Sequence, residues 1–190
     1  MDKTALKSHL YECLRREVMM SGKEFTWWRT IHRAVKTPKR RFIFWWRIAS
    51  YLYQKNKKLT VRLAKHINRK LIAYYGTEIE LGAVIGPGVT FAHHQGIVVS
   101  QYAMIGENLH LRQNVTIGAK TGLGNIRIIV GDNVKIGANS CIISDDITIG
   151  SNVDIGAMSF INKSIPNDCI VYTKKHNEII TRSDTSPSIL

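Results

Sequence analysis

VGDNVKIGANSCIISDDITIGSNVDIGAMSFINKSIP, residues 130–166, places an aliphatic residue at every sixth position, and glycine follows it in four of six cases. In hexads it reads VGDNVK, IGANSC, a one-residue slip, then ISDDIT, IGSNVD, IGAMSF and INKSIP. The same register runs through residues 79–122 as IELGAV, IGPGVT, FAHHQG, a two-residue slip, VSQYAM, IGENLH, LRQNVT and IGAKTG. An irregular insertion near residues 119–129 separates the two runs.

A six-residue period suits neither an amphipathic helix nor a hairpin meander. It suits a coil with flat faces, in which one aliphatic per hexad points inward and stacks on its equivalents in neighbouring coils. Glycine or another small residue is expected at each corner, where positive φ or close backbone approach arises. Such a solenoid buries its core only by stacking, so several coils are required. Three hexads close one triangular coil, and the thirteen hexads make slightly more than four. A pure scaffold without chemistry is one reading of the repeat; the histidines in FAHHQG, which a scaffold does not need, are the argument for an enzyme.

Residues 1–75 follow another rule. They hold 19 Lys and Arg against 4 Asp and Glu, a net of +15, whereas residues 76–190 hold 8 against 10. All four tryptophans lie in the first part. Alanine, leucine, lysine and arginine predominate there, which predicts helices at roughly 3–20, 25–35, 40–54 and 58–74, broken at Thr37-Pro38. The third, KRRFIFWWRIASYLYQK, is apolar over most of its circumference, so it is buried or laid against something greasy. The chain divides into a basic helical segment (1–75), a repeat domain (76–170) and a tail (171–190).

Composition narrows the classes. Three scattered cysteines form neither a disulfide framework nor a zinc site, and no metal is expected. The N-terminus lacks an apolar h-region, and no stretch approaches the ~20 apolar residues of a membrane span. The expected location is the cytoplasm, with peripheral contact at the inner face of the cytoplasmic membrane as a second reading. The basic aromatic segment admits three roles: a helical cap that forms the oligomer, a membrane-surface dock through residues 25–75, or a nucleic-acid surface. No recognised nucleic-acid motif is present, so no nucleic-acid partner is expected.

With AHHQGIVVS and NVTIG inside the hexad run, the sequence resembles the left-handed β-helix acyltransferases, nearest to serine O-acetyltransferases and the related polysaccharide O-acetyltransferases. The resemblance covers residues 60–170. It implies a left-handed parallel β-helix preceded by helices, assembled as a homotrimer, with acetyl-CoA as cosubstrate. GTEIELGAVIGPGVTFAHHQGIVVS matches the family's catalytic segment without a gap. The resemblance then puts the catalytic histidine at His93 and its carboxylate partner at Glu78, with His94 as the rival. A neutral imidazole can take the proton of an attacking hydroxyl, and a carboxylate on its other nitrogen fixes the tautomer.

Departures from the family pattern bear on the acceptor. The family's aspartate before the catalytic histidine, which helps hold the amino-acid substrate, is Ala92 here. The D-R-H-P segment that grips serine's carboxylate reads GNIRIIVGDN, which leaves only Arg127 as a cation. Specificity for a small zwitterion rests on such paired groups. The acceptor expected is therefore a hydroxyl of a surface saccharide or lipid-linked glycan, with serine or another small molecule as the alternative. In the family coenzyme A lies along the solenoid between subunits, which by resemblance points to Gly118, Ala138 and Ala157 for the pantetheine arm. The closing A-G-x-P-A motif is replaced by VYTKKHNEII, where Lys174 and Lys175 are candidates for the nucleotide phosphates.

Overall fold

A computed structural model describes residues 3–174 and Glu178. Its helical part comprises α1 (Lys3–Leu14), a π-helical turn (Arg15–Met19), α2 (Trp27–Lys36), α3 (Pro38–Gln54) and α4 (Lys58–Tyr75). Thr37 is extended and Pro38 opens α3, as expected of a proline that cannot donate an N–H but presets a helical φ. α4 ends at Gly76, left-handed at φ 60°, whose N–H donates to the Ile72 carbonyl. That cap is the boundary between the two rules of sequence. No helix among the described residues is long and apolar enough to cross a membrane.

The repeats form β1 (Glu78–Ile79), β2 (Val84–Ile85), β3 (Thr90–Phe91), β4 (Val98–Val99), β5 (Ala103–Ile105), β6 (His110–Leu111), β7 (Thr116–Gly118), β8 (Arg127–Val130), β9 (Lys135–Ile136), β10 (Cys141–Ile143), β11 (Asp146–Ile149), β12 (Asp154–Ile155), β13 (Phe160–Ile161) and β14 (Ile170–Val171). All pair in parallel on three faces: β1-β4-β7-β10-β13, β2-β5-β8-β11 and β3-β6-β9-β12-β14. The fold is the left-handed parallel β-helix that the hexads imply. It is longer than expected: an Ile149–Ile165 bridge and β14 extend it to five rungs on every face.

Two details differ from the hexad reading. First, most hexads bury two residues. The leading aliphatics (Ile85, Ile105, Ile117, Ile136, Ile155) point inward, and so do the fifth positions (Val89, Leu109, Val115, Val134, Val153). Where the fifth position is serine, Ser140 Oγ donates to the Gly156 carbonyl at 2.8 Å and accepts from the Ser159 N–H at 3.0 Å, so burial leaves no orphaned hydroxyl.

Second, the left-handed corner residues are mostly asparagine. Asn108, Asn133, Asn152 and Asp168 have φ of 56–59° and stack with side chains bonded coil to coil at 2.8–2.9 Å. The glycines after the leading aliphatics serve close approach instead. A Cβ on Gly137 would collide with the backbone nitrogen of Ala157 in the next coil. Gly137→Ala is expected to cost about 1–3 kcal/mol, the usual cost of overpacking; a urea midpoint equal to wild type would show that the coils can part at no cost.

The helices cap the first coil. One side of α3 is buried by protein: Phe42, Trp46 and Ala49 are inaccessible and Trp46 Nε1 donates to the Ile79 carbonyl at 3.1 Å, while Trp45 on the other side is 44% exposed. Asn68 Nδ2 donates to the same carbonyl at 3.2 Å. The bottom edge of the solenoid is thereby covered rather than left open for pairing. Beside it, Arg47 and Glu17 form a buried ion pair at 2.6 Å.

Candidate functional site

The strand registers locate the two extra residues of the first slip. Phe91 pairs with Leu111, twenty positions on, and Val98 pairs with Thr116, eighteen positions on. The Ala92 N–H donates to Leu111, which aligns Ala92 with Arg112, and the Asn114 N–H donates to the Gln95 carbonyl, which aligns Gln95 with Gln113. The residues between Ala92 and Gln95 are His93 and His94, so these two histidines are the insertion. The corner joining the third face to the first is widened at this coil alone, and there the pair is displayed.

The two rings part company. His93 is exposed. His94 is 8% exposed and lies among Phe42, Tyr75 and Phe91, with ring centroids 4.9–5.8 Å away. Neither of its ring nitrogens has a hydrogen-bond partner. Burial, helped by the Lys39 charge, pushes its pKa below the ordinary histidine value. The folded protein therefore takes up that proton at lower pH than the unfolded chain, whose histidine titrates near about 6.5. Between those values the unfolded state binds more protons. Stability is full above about pH 6.5 and falls as pH drops through that window. Burial shifts His9 and His110 in the same direction. His94→Phe is expected to flatten the fall in melting temperature between about pH 6.5 and 5 without lowering it at pH 8; an unchanged slope would remove His94 as a source.

Glu78 opens β1 one coil below this corner. It is exposed, and in the single chain no hydrogen bond or ion pair joins it to His93. The two backbones are nevertheless tied, because Thr77 Oγ1 donates to the His94 carbonyl at 2.6 Å. Lys39, from the first turn of α3, was not singled out by the sequence. Its ammonium donates to the Ala92 carbonyl at 2.7 Å and so brings a cation to the histidine corner. Only the packing of α3 on the solenoid shows it, since 53 residues separate the partners.

The coenzyme candidates divide. Ala138 and Ala157 share the His93 corner: the Asn139 N–H donates to Gln113, and the Met158 N–H to Ala138. Arg112, next to Gln113, lines a groove with Gly137 and Ala157 that the sequence reading did not foresee. Gly118 does not belong to that corner. It ends β7 on the first face, at the corner leading to the second. Arg127 stands on the second face and is ion-paired with Asp146 at 2.9 Å. The insertion ends at residue 126, because residues 127–130 form β8. Its start is pinned by Asp145, which accepts from the Lys120 and Thr121 N–H groups and from Thr121 Oγ1 at 2.7–3.0 Å. Lys174 is exposed, and Lys175 lies outside the described residues. Burial raises the Cys13 thiol to about 12, so it is no nucleophile.

No family model matches the chain. Among curated proteins it is similar to the serine acetyltransferase of Synechococcus elongatus, 36% identical over 72 residues, which is 38% of this chain and 28% of that protein. It is similar to the Mycobacterium tuberculosis serine acetyltransferase, 33% identical over 81 residues, 43% and 34% of the two chains. The matches thus span about a third of the length of these relatives. Among solved structures, serine acetyltransferase isoform 3 of Entamoeba histolytica in complex with cysteine superposes with a TM-score of 0.73 at 26% identity, covering 94% of this chain and 62% of that one. The Neisseria gonorrhoeae serine acetyltransferase in complex with serine gives 0.67 at 27%, covering 88% and 66%. These relatives support the hexapeptide-repeat acyltransferase family, and the polysaccharide branch draws no support from them.

Proposed function

We propose that the chain is an acetyl-CoA-dependent O-acetyltransferase with His93 as general base. The observation that carries the reading is the widened corner, which displays His93 to solvent in line with Ala138 and Ala157 while it buries His94. The acceptor hydroxyl attacks the thioester carbonyl as His93 takes its proton. Collapse of the tetrahedral intermediate expels the coenzyme A thiolate, which recovers that proton from His93. Glu78 is assigned as the orienting carboxylate. Gly118 and the 119–126 loop stand on a different corner, so a complete site needs a second copy; a homotrimer around an axis along the solenoid would supply it.

The relatives' names favour serine as acceptor. One observation favours a saccharide hydroxyl instead. Where an amino acid's ammonium would need an anion, this chain has Ala92, and the Lys39 ammonium sits 2.7 Å from that residue's carbonyl. Like charges disfavour serine there. The test is coenzyme A release with millimolar L-serine and with acidic or neutral oligosaccharides, for wild type and Lys39→Glu. The saccharide reading expects poor serine turnover that Lys39→Glu improves several-fold. Efficient serine acetylation, indifferent to Lys39, would leave serine as the acceptor. Absence of acetyl-CoA binding by calorimetry would sink the transferase itself.

A further inference from the structure

Helix α2 presents its apolar side outward. Its fully buried residues are Thr30 and Ala34, whereas Trp28, Ile31 and Val35 are 79%, 45% and 65% exposed. Those three fall at i, i+3 and i+7 and make one stripe along the helix. Arg29, Arg33 and Lys36, at i, i+4 and i+7, make a second stripe on the opposite flank of the helix, and none of them forms an ion pair among the described residues. Residues 25–75 contain 14 Lys and Arg and not one Asp or Glu; the nearest acid in sequence is the exposed Glu24 that precedes α2.

Apolar residues are turned to water at a cost unless something covers them, and the cover must suit both stripes. A second copy packed on the apolar stripe would leave the basic flank without an anion. A surface that is apolar within and anionic outside fits both. We infer that α2 is an interfacial helix that lays Trp28, Ile31 and Val35 into the headgroup boundary of an anionic bilayer, with Arg29, Arg33 and Lys36 on the lipid phosphates. Trp46 and Phe42 of α3 are core and take no part in this surface. The placement bears on the site: α2 leads through Thr37 and Pro38 into Lys39, which bonds the Ala92 carbonyl beside His93. Docking would hold the histidine corner at the lipid surface, where a lipid-borne acceptor would meet it; that last step rests on the proposed function, the docking does not.

The experiment is co-sedimentation of the full chain with phosphatidylcholine vesicles, with and without phosphatidylglycerol. No coenzyme or acceptor is present, so the outcome is independent of the transferase reading. Partitioning onto the phosphatidylglycerol vesicles is expected to exceed that onto phosphatidylcholine alone at least ten-fold. The Trp28→Ser/Ile31→Ser/Val35→Ser variant and the Arg29→Gln/Arg33→Gln/Lys36→Gln variant should each lose most of that gain, with circular dichroism unchanged. No binding to anionic vesicles would overturn the inference, as would equal binding by the triple-serine variant. A fall in that variant's mass by light scattering would overturn it too, by assigning the stripe to a subunit contact.

Discussion

Replacing His93 by alanine is expected to lower turnover about 10²–10⁴-fold, the usual worth of a positioned general base. A saccharide or serine hydroxyl is a weak nucleophile near neutral pH, so its proton must leave as it attacks. His93 is the exposed imidazole of the widened corner; its neighbour's ring is shut among Phe42, Tyr75 and Phe91. Affinity for acetyl-CoA should stay nearly unchanged, because the imidazole acts on the acceptor. His94→Ala should act differently: it opens a cavity under three aromatic rings and lowers stability more than the chemical step. Glu78→Gln should cost less turnover than His93→Ala, since it disturbs only tautomer and orientation. The measurements are kcat on the accepted hydroxyl and calorimetric binding of acetyl-CoA. Near-normal turnover in His93→Ala, with His94→Ala inactive but folded, would move the base by one residue.

Arg47→Ala should be the most damaging single change to the fold, at about 3–5 kcal/mol out of the ~5–15 that a domain of this kind has. Arg47 donates from Nε and Nη2 to Glu17 at 2.9 and 2.6 Å, from Nη1 to the Ile85 carbonyl at 2.7 Å and from Nη2 to the Gly86 carbonyl at 2.8 Å. Glu17 in turn accepts from the Gly88 and Val89 N–H groups at 2.9 and 3.1 Å. One ion pair thereby joins the π-helical turn, α3 and the first coil. Burial alone would disfavour the Arg47 charge, but the Glu17 carboxylate outweighs it and raises the pKa. Removing the arginine leaves a buried carboxylate without its counter-ion and two backbone carbonyls without donors. Glu17→Leu/Arg47→Met should lose less than the sum of the two single changes, yet remain below wild type because those backbone groups stay unpaired. Urea midpoints of the four proteins check this. A midpoint for Arg47→Ala within about 0.5 kcal/mol of wild type would show the pair to be idle.

The solenoid and the helices that precede it were legible in the sequence because each is specified locally. A hexad carries its own inward residues and its own corner, and stacking repeats that rule from neighbour to neighbour. The helix ends were equally plain at Thr37-Pro38 and Gly76, where backbone chemistry stops a helix whatever surrounds it. Candidate site residues could be named from the AHHQG segment, but their surroundings could not. The hexad reading put the two extra residues after Gly96, at Ile97 and Val98; the pairing of Phe91 with Leu111 and of Val98 with Thr116 moves them to His93 and His94. Burial of one histidine and exposure of the other, the Lys39 ammonium on the Ala92 carbonyl and the Glu17–Arg47 pair all arise where the helices meet the first coil. Gly118 shares the repeat register with Ala138 and Ala157 yet stands on another corner of the triangle, and Arg127, read as part of the insertion, opens a strand of the second face. Such contacts join residues tens of positions apart and depend on how two separately legible parts are docked, which no local period encodes.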